Sequence, residues 1–214
     1  RNPKGARKNL EGVVKNHSGI AAAVDAEFFL IEALERVGKT DEHFAALNAF
    51  VKNRKENANW ARANLDLAEI KVKDDDYVGA SKAYLNALSG NLEETERPVV
   101  MKMLYEAHRN LRLYDSAITY ARNLIEAYPH HPLAQGARIN IGEIYSEKGD
   151  HRKAIEEIRP HLTKLQNDEW SSAQFVIAKS HHDLGEYENA LREYLKMIYN
   201  PQGSVNWLAN AFMG

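Results

Sequence analysis

Gly142 to Ala154 reads GEIYSEKGDHRKA, and this stretch decides the fold. It predicts a helix, a tight turn at Lys148-Gly149-Asp150, and a second helix that opens at once. The phrase returns as AKSHHDLGEYENA from Ala178 to Ala190. Weaker forms are YEAHRNLRLYDSA, Tyr105 to Ala117, and AEIKVKDDDYVGA, Ala68 to Ala80. The closing alanines Ala80, Ala117, Ala154 and Ala190 lie 37, 37 and 36 residues apart. A period of that size marks a stack of helix pairs rather than one folded core.

Outward from that phrase the chain parses as helix after helix. Val24, Phe28, Ile31, Leu34 and Val37 form one apolar stripe over residues 20–37, which Gly38 ends. Thr40 or Asp41 is the expected cap of the next helix, with Phe44, Leu47, Phe50 and Val51 on its buried face. Asn57 or Asn59 should open a third helix, lined by Trp60, Leu65, Ala68 and Val72. Asp74-Asp75-Asp76 turns into a partner carrying Tyr77, Ala80, Tyr84, Leu85 and Leu88, and the three carboxylates suit a helix N-terminus. Pro98 is tolerable only in a first turn, so the next helix starts no earlier than about Thr95. Its partner runs from Asp115 to Ala127. Pro132 opens a further helix, and Asp150 caps the one after it. Pro160 should shorten or kink that helix. Asp168 starts the last complete pair. No period-two alternation or Val/Thr-rich run supports a strand.

Composition fits this picture. Of 214 residues 44% are hydrophobic and 27% charged, the range of a folded chain. The 28 basic residues are spread among 30 acidic ones for a net charge of -2, so bulk charge offers nothing to a phosphate backbone and no nucleic-acid partner is expected. Cysteine is absent, which removes disulfides, thiolate metal sites and cysteine nucleophiles. No stretch approaches 18 apolar residues, so no transmembrane segment is expected. The basic cluster Arg1, Lys4, Arg7 and Lys8 reads as a solvated end. A chain beginning at Arg1 reads as a processed or excised piece. Residues 204–214, with Trp207, Leu208 and Phe212, look like a further repeat's opening helix or a capping helix.

Close packing explains the period. Small residues at Ala68, Gly142 and Ala178 let a first helix approach the alanine of its partner. Tyr84, Ile158 and Tyr194, each four residues past an alanine, are expected to act as spacers to the next pair. The repeats fall at about 20–56, 57–93, 94–130, 131–167 and 168–202 within a single segment, 1–214.

These repeats resemble the tetratricopeptide family. The match rests on small residues at Gly142 and Ala178, turn glycines at Gly149 and Gly185, aromatics at Tyr77 and Tyr187, alanines at Ala154 and Ala190, and late prolines at Pro129 and Pro201. It covers residues 60–202 well and reaches 20–56 less fully, where Gly38 and Ala46 are the best-placed counterparts. The resemblance implies an all-α fold, a right-handed α-solenoid of helix-turn-helix repeats. It also implies a non-enzymatic scaffold that binds a protein or peptide on its concave face. The long repeats and helix-ending prolines are similar to bacterial envelope members. That leaves the compartment open between a periplasm or envelope and the cytoplasm.

In that family first helices face the concave side. Carried onto this chain, the inward residues are Arg62, Leu65 and Glu69; Lys102, Glu106, Arg109 and Asn110; Ile139, Glu143 and Ser146; and Phe175, Lys179 and His182. The plain alternative is a solvated helix face. One subclass clamps a peptide carboxylate with Lys and Asn. Lys102 matches, but Glu106 replaces the Asn and would repel a carboxylate.

No cofactor is implied. Adjacent helical residues point about 100 degrees apart, so His181 and His182 cannot readily share a metal, and the HExxH spacing is absent. Asp74 to Asp76 lack the glycine and distal Glu of a calcium loop. No nucleophile elbow or phosphate-cradling glycine loop appears. The alternative to a scaffold is an assembly module acting through the solenoid ends, where Val13-Val14 and Trp207-Leu208-Phe212 lack covers, and that alternative includes self-association.

Overall fold

The computed structural model describes residues 21–199 and Gly12. The terminal apolar groups named above, Val13-Val14 and Trp207-Leu208-Phe212, lie outside the described residues. Among the described residues there are ten α-helices and no strand: α1 (Ala21–Arg36), α2 (Thr40–Asn53), α3 (Trp60–Lys73), α4 (Tyr77–Ser89), α5 (Arg97–Asn110), α6 (Tyr114–Ala127), α7 (Pro132–Lys148), α8 (His151–Ile158), α9 (Asn167–Asp183) and α10 (Tyr187–Tyr199). A 3-10 helix, Arg159–Lys164, follows α8 directly. The chain divides into two compact units, Arg1–Ala107 and His108–Gly214, and the division falls inside α5.

Within the first unit α1 packs on α2, α2 on α3 and α3 on α4. Within the second, α6 packs on α7, α7 on α8, α8 on α9 and α9 on α10, while α7 also reaches α9. Within each unit, then, the helices that pack are mostly neighbours along the chain, as in a stack of helix pairs.

The turn inside each pair repeats with one backbone geometry. Gly38, Asp75, Arg112, Gly149 and Gly185 all take positive φ, at 37, 37, 37 and 36 residue intervals. At Gly149 the N–H donates to Ser146 O (3.1 Å) and the next N–H, of Asp150, donates to Tyr145 O (2.8 Å). The same two bonds recur at the other four positions. This double bond is the left-handed helix stop that glycine adopts without penalty. Asp75 and Arg112 hold it without being glycine. Each anchor alanine then donates the first bond of the following helix, Ala154 N to Asp150 O (3.1 Å), and likewise Ala80, Ala117 and Ala190.

His43 fills this anchor position in the first pair, donating to Lys39 O (2.8 Å), and it is buried. Ala46, the counterpart expected from the sequence, is only half-buried. The expected caps also need correction. Asp76 does cap α4, accepting from Gly79 N at 2.9 Å. The residue before α2 is Lys39, with Thr40 and Asp41 already helical. Asp150 occupies its cap position, yet its carboxylate meets Lys153 (3.2 Å) instead of a backbone N–H.

Ala68, Ala80, Ala117, Ala154, Ala178 and Ala190 are all buried. The spacer expectation changes, however. Ile158 lies against Gly142 of its own pair, and Tyr194 lies 6.2 Å from Phe175 of its own pair. Leu85 is exposed. Ile158 also belongs to the core of the second unit, with Ile139, Ile155, Leu165, Trp170 and Ile177. Burying a side chain of its size stabilises by roughly 1.5–3 kcal/mol. In the first unit the buried Trp60 ties pair to pair by donating from Nε1 to Val51 O at 2.8 Å.

Pro160 ends α8 after eight residues. It cannot donate the bond an α-helix needs there, and the chain tightens into the 3-10 helix.

Candidate functional site

In the first unit α3 presents Arg62, Leu65 and Glu69 at spacings of three and four, which puts them on one helical face. They line a hollow of about 230 Å3 completed by Tyr84 of α4 and by Val99, Val100 and Met103 of α5. Its floor is apolar, and Arg62, Glu69 and Glu96 carry charge at the rim. Arg62 is held by Asp66 (3.3 Å) and Glu96 (3.7 Å). Burial pushes the Asp66 carboxyl up to about 6; Arg62 opposes this, while Glu69, Glu35 and Glu32 add to it. Burial, and then Glu69 and Glu106, push the Tyr84 hydroxyl above its ordinary value. Lys102 and Glu106 pair with each other along α5 at 2.6 Å.

In the second unit Arg109 sets its guanidinium between Glu143 (2.9 Å) and Glu147 (Nε at 3.1 Å). Burial works to lower its pKa, but the Glu147 and Glu143 carboxylates raise it above the ordinary value. Glu143 also accepts from Ser172 Oγ at 3.0 Å, and Ser180 Oγ meets Ser146 Oγ at 3.4 Å. Lys179 pairs with Asp183 at 2.7 Å, while exposed His182 stands edge-on to Tyr187, centroids 5.5 Å apart. Asn110 is exposed at the end of α5. Ile139 is buried in the core, and Phe175 is half-buried beside it.

The residues expected on the inward face thus separate into groups. Arg62, Leu65 and Glu69 share one hollow. Lys102 and Glu106 neutralise each other, and Arg109 is already shared by two glutamates. Other pairs join residues about one repeat apart: Arg122 to Glu157 (2.9 Å), Arg152 to Glu186 (2.8 Å) and Gln135 to Glu169 (2.9 Å). Such exposed pairs add little to stability.

Two arrangements escaped sequence reasoning. One is a buried polar knot in the second unit, where Gln174 Nε2 donates to Glu193 Oε2 (2.7 Å), with Lys196 (2.7 Å) and Arg159 (3.3 Å) on the same carboxylate. The other is a polar cleft of about 540 Å3 between the connection before α7 and the 3-10 helix. The histidine pair at 130–131 was its one visible signal. Among the described residues no cluster of His, Asp or Glu could hold a metal, and no helix is long and apolar enough to cross a membrane.

Residues 103–169 match the family model described as tetratricopeptide repeat. Those residues carry tetratricopeptide repeats. Its fold is shared with MamA at 17% identity and TM-score 0.59, over 78% of this chain and 91% of that one. YrrB, a tetratricopeptide protein with an unusual peptide-binding site, aligns at 15% identity and TM-score 0.64, over 96% of this chain and 98% of that one. The apo form of RapI aligns at 13% identity and TM-score 0.64, over 90% of this chain and 58% of that one. None of the curated proteins matches the sequence. Neither the repeat model nor these relatives indicate a catalytic family.

Proposed function

We propose that this chain is a non-enzymatic scaffold that holds a protein or peptide segment against its first helices, with the first-unit hollow receiving one apolar side chain. The carrying observation is the apolar floor of Leu65, Val99, Val100 and Met103 under the charged rim of Arg62, Glu69 and Glu96. At about 230 Å3 the hollow is smaller than the roughly 300–1,000 Å3 of small-molecule pockets. It suits a side chain delivered by a backbone. The rim carries both signs, so it orients a peptide by charge without favouring one sign strongly. YrrB, which shares the fold, gives this reading support as a protein with a peptide-binding site. Lys102, Glu106, Arg109, Asn110, Glu143, Phe175, Lys179 and His182 extend the candidate surface, each within its own unit.

Peptides selected from a displayed library against the whole chain test this. Val99 is exposed and Met103 half-buried, so Val99→Asp and Met103→Asp should leave the fold intact. Each should weaken selected peptides about tenfold or more, as desolvated charge on an apolar floor does. Unchanged affinity for every selected peptide would reject this location.

A second reading, assembly through a solenoid end, is favoured by α10. Tyr187, Leu191, Leu195, Ile198 and Tyr199 are exposed and fall on one face at helical spacing. Light scattering over a concentration series tests it. A strict monomer at high concentration rejects it.

A further inference from the structure

We propose that the polar cleft of the second unit is a binding site for a small phosphate-bearing molecule, held by Arg138 and Lys164 with His130 and His161. Its volume of about 540 Å3 lies within the range of small-molecule sites, unlike the hollow of the first unit. The site is built by three pieces of backbone. Pro129 and Pro132 stiffen the connection that carries His130, α7 supplies Arg138, and the 3-10 helix supplies His161 and Lys164. In a 3-10 helix residues i and i+3 eclipse, so His161 and Lys164 stand one above the other on the same side. Pro160 forces that geometry. The proline and the histidine pair thus acquire a shared role.

The charge in the cleft is unbalanced. Its one lining carboxylate, Glu169, is engaged by Gln135 at 2.9 Å. Glu157, which also acts on His161, is paired with Arg122 at 2.9 Å. Arg138 spends one N–H on Ala134 O at 3.2 Å and keeps the rest of its fork. Among the described residues the side chains of Lys164 and His130 have no hydrogen-bond or ion-pair partner. His131 is different: its Nδ1 accepts from Leu133 N at 3.2 Å. Burial, then Arg138, with Lys164 adding and Glu157 opposing, hold the His161 imidazole below its ordinary pKa. An arriving anion reverses that electrostatic cost.

A phosphate group fits this donor set better than a carboxylate. Its oxygens take a guanidinium fork, an ammonium and an imidazolium together, whereas a carboxylate is satisfied by one fork. A metal ion is excluded on chemistry, since the lining is cationic and no ligand cluster is present among the described residues.

Pyrophosphate is the probe, titrated by calorimetry into the whole chain at pH 6.5 and pH 8. A single saturable site is expected, tighter at the lower pH because His161, held below its ordinary pKa in the free protein, takes up a proton as the anion binds. Arg138→Gln and Lys164→Gln should each weaken it about 10–100-fold, the worth of a charged hydrogen bond. Arg152→Gln, outside the cleft and paired with Glu186, should leave it unchanged. Imidazole proton resonances of His130 and His161 should shift on titration of the unsubstituted protein, a readout that needs no variant to fold. No saturation, equal affinity in Arg138→Gln and Lys164→Gln, or unmoved His130 and His161 resonances would each overturn the site.

Discussion

Gly142 lies directly beneath Ile158, so that a Cβ at Gly142 would collide with Ile158 Cγ1 and Cδ1 and reach within 3.4 Å of Ala154 O. The helices of this pair approach closely because nothing projects from Gly142. Gly142→Ala should therefore destabilise by about 1–3 kcal/mol through overpacking, despite alanine's better helix propensity. Urea unfolding measures it. Ile158→Ala removes the colliding atoms, so the double variant should lose clearly less than the sum of the single losses.

The five positive-φ turn positions predict opposite signs at two places. Gly149→Ala puts a side chain into left-handed backbone and should cost about 1–2 kcal/mol. Arg112→Gly relieves the same strain at φ 56 and should raise the unfolding free energy by up to about 1 kcal/mol after the entropy glycine adds to the unfolded chain. Matching shifts of one sign in both variants would refute a shared turn geometry.

Arg109 holds two glutamates in a planar fork. Arg109→Lys keeps the charge and loses the fork, and about 1 kcal/mol of stability should go with it. Thermal unfolding of this variant beside Lys102→Gln separates the partly buried double contact from a simple i,i+4 pair. The second variant should move by no more than about 0.5 kcal/mol.

Two carboxylates should respond to pH in opposite directions. The folded pKa of Asp66, about 6, lies above its ordinary 3.8, so its stabilising share is present below pH 3.8 and is lost as pH rises through about 6. Asp66→Asn should then gain stability at pH 7.5, on the order of 1 kcal/mol after allowing for solvent screening, and gain less at pH 4. Burial works to raise the Glu193 pKa, but hydrogen bonds from Lys196 and Gln174 bring it below its ordinary 4.5. Its contribution is present above pH 4.5 and lost as pH falls through the lower folded value. Glu193→Gln should weaken the fold at pH 7.5 and matter little in acid. Unfolding curves across pH 3.5–8 would show whether the two slopes differ in sign.

The repeat was legible because its determinants are small residues at fixed spacing, such as Ala80, Ala117, Ala154 and Ala190. Where a different residue holds the same backbone role, the pattern was obscured. His43 takes an anchor position that alanine takes elsewhere, and Asp75 and Arg112 hold turn geometry usually given to glycine. The candidate surface was less legible than the fold. Arg62, Leu65 and Glu69 share a face by helical spacing alone, but the neutralisation of Arg109 by Glu143 and Glu147 joins residues 34 and 38 positions apart and depends on how successive helices stack. Ile139 was read as facing inward on its helix, and packing with α9 puts it in the core. The cationic cleft depends on Pro160 turning an α-helix into a 3-10 helix, which spacing rules for an ideal helix do not anticipate.

The bond pattern of the five turns is made entirely by main-chain atoms. Heritable change can therefore rewrite nearly every side chain around those corners and still pass on the same architecture. Solved structures only 13–17% identical to this chain share its fold, as that tolerance allows.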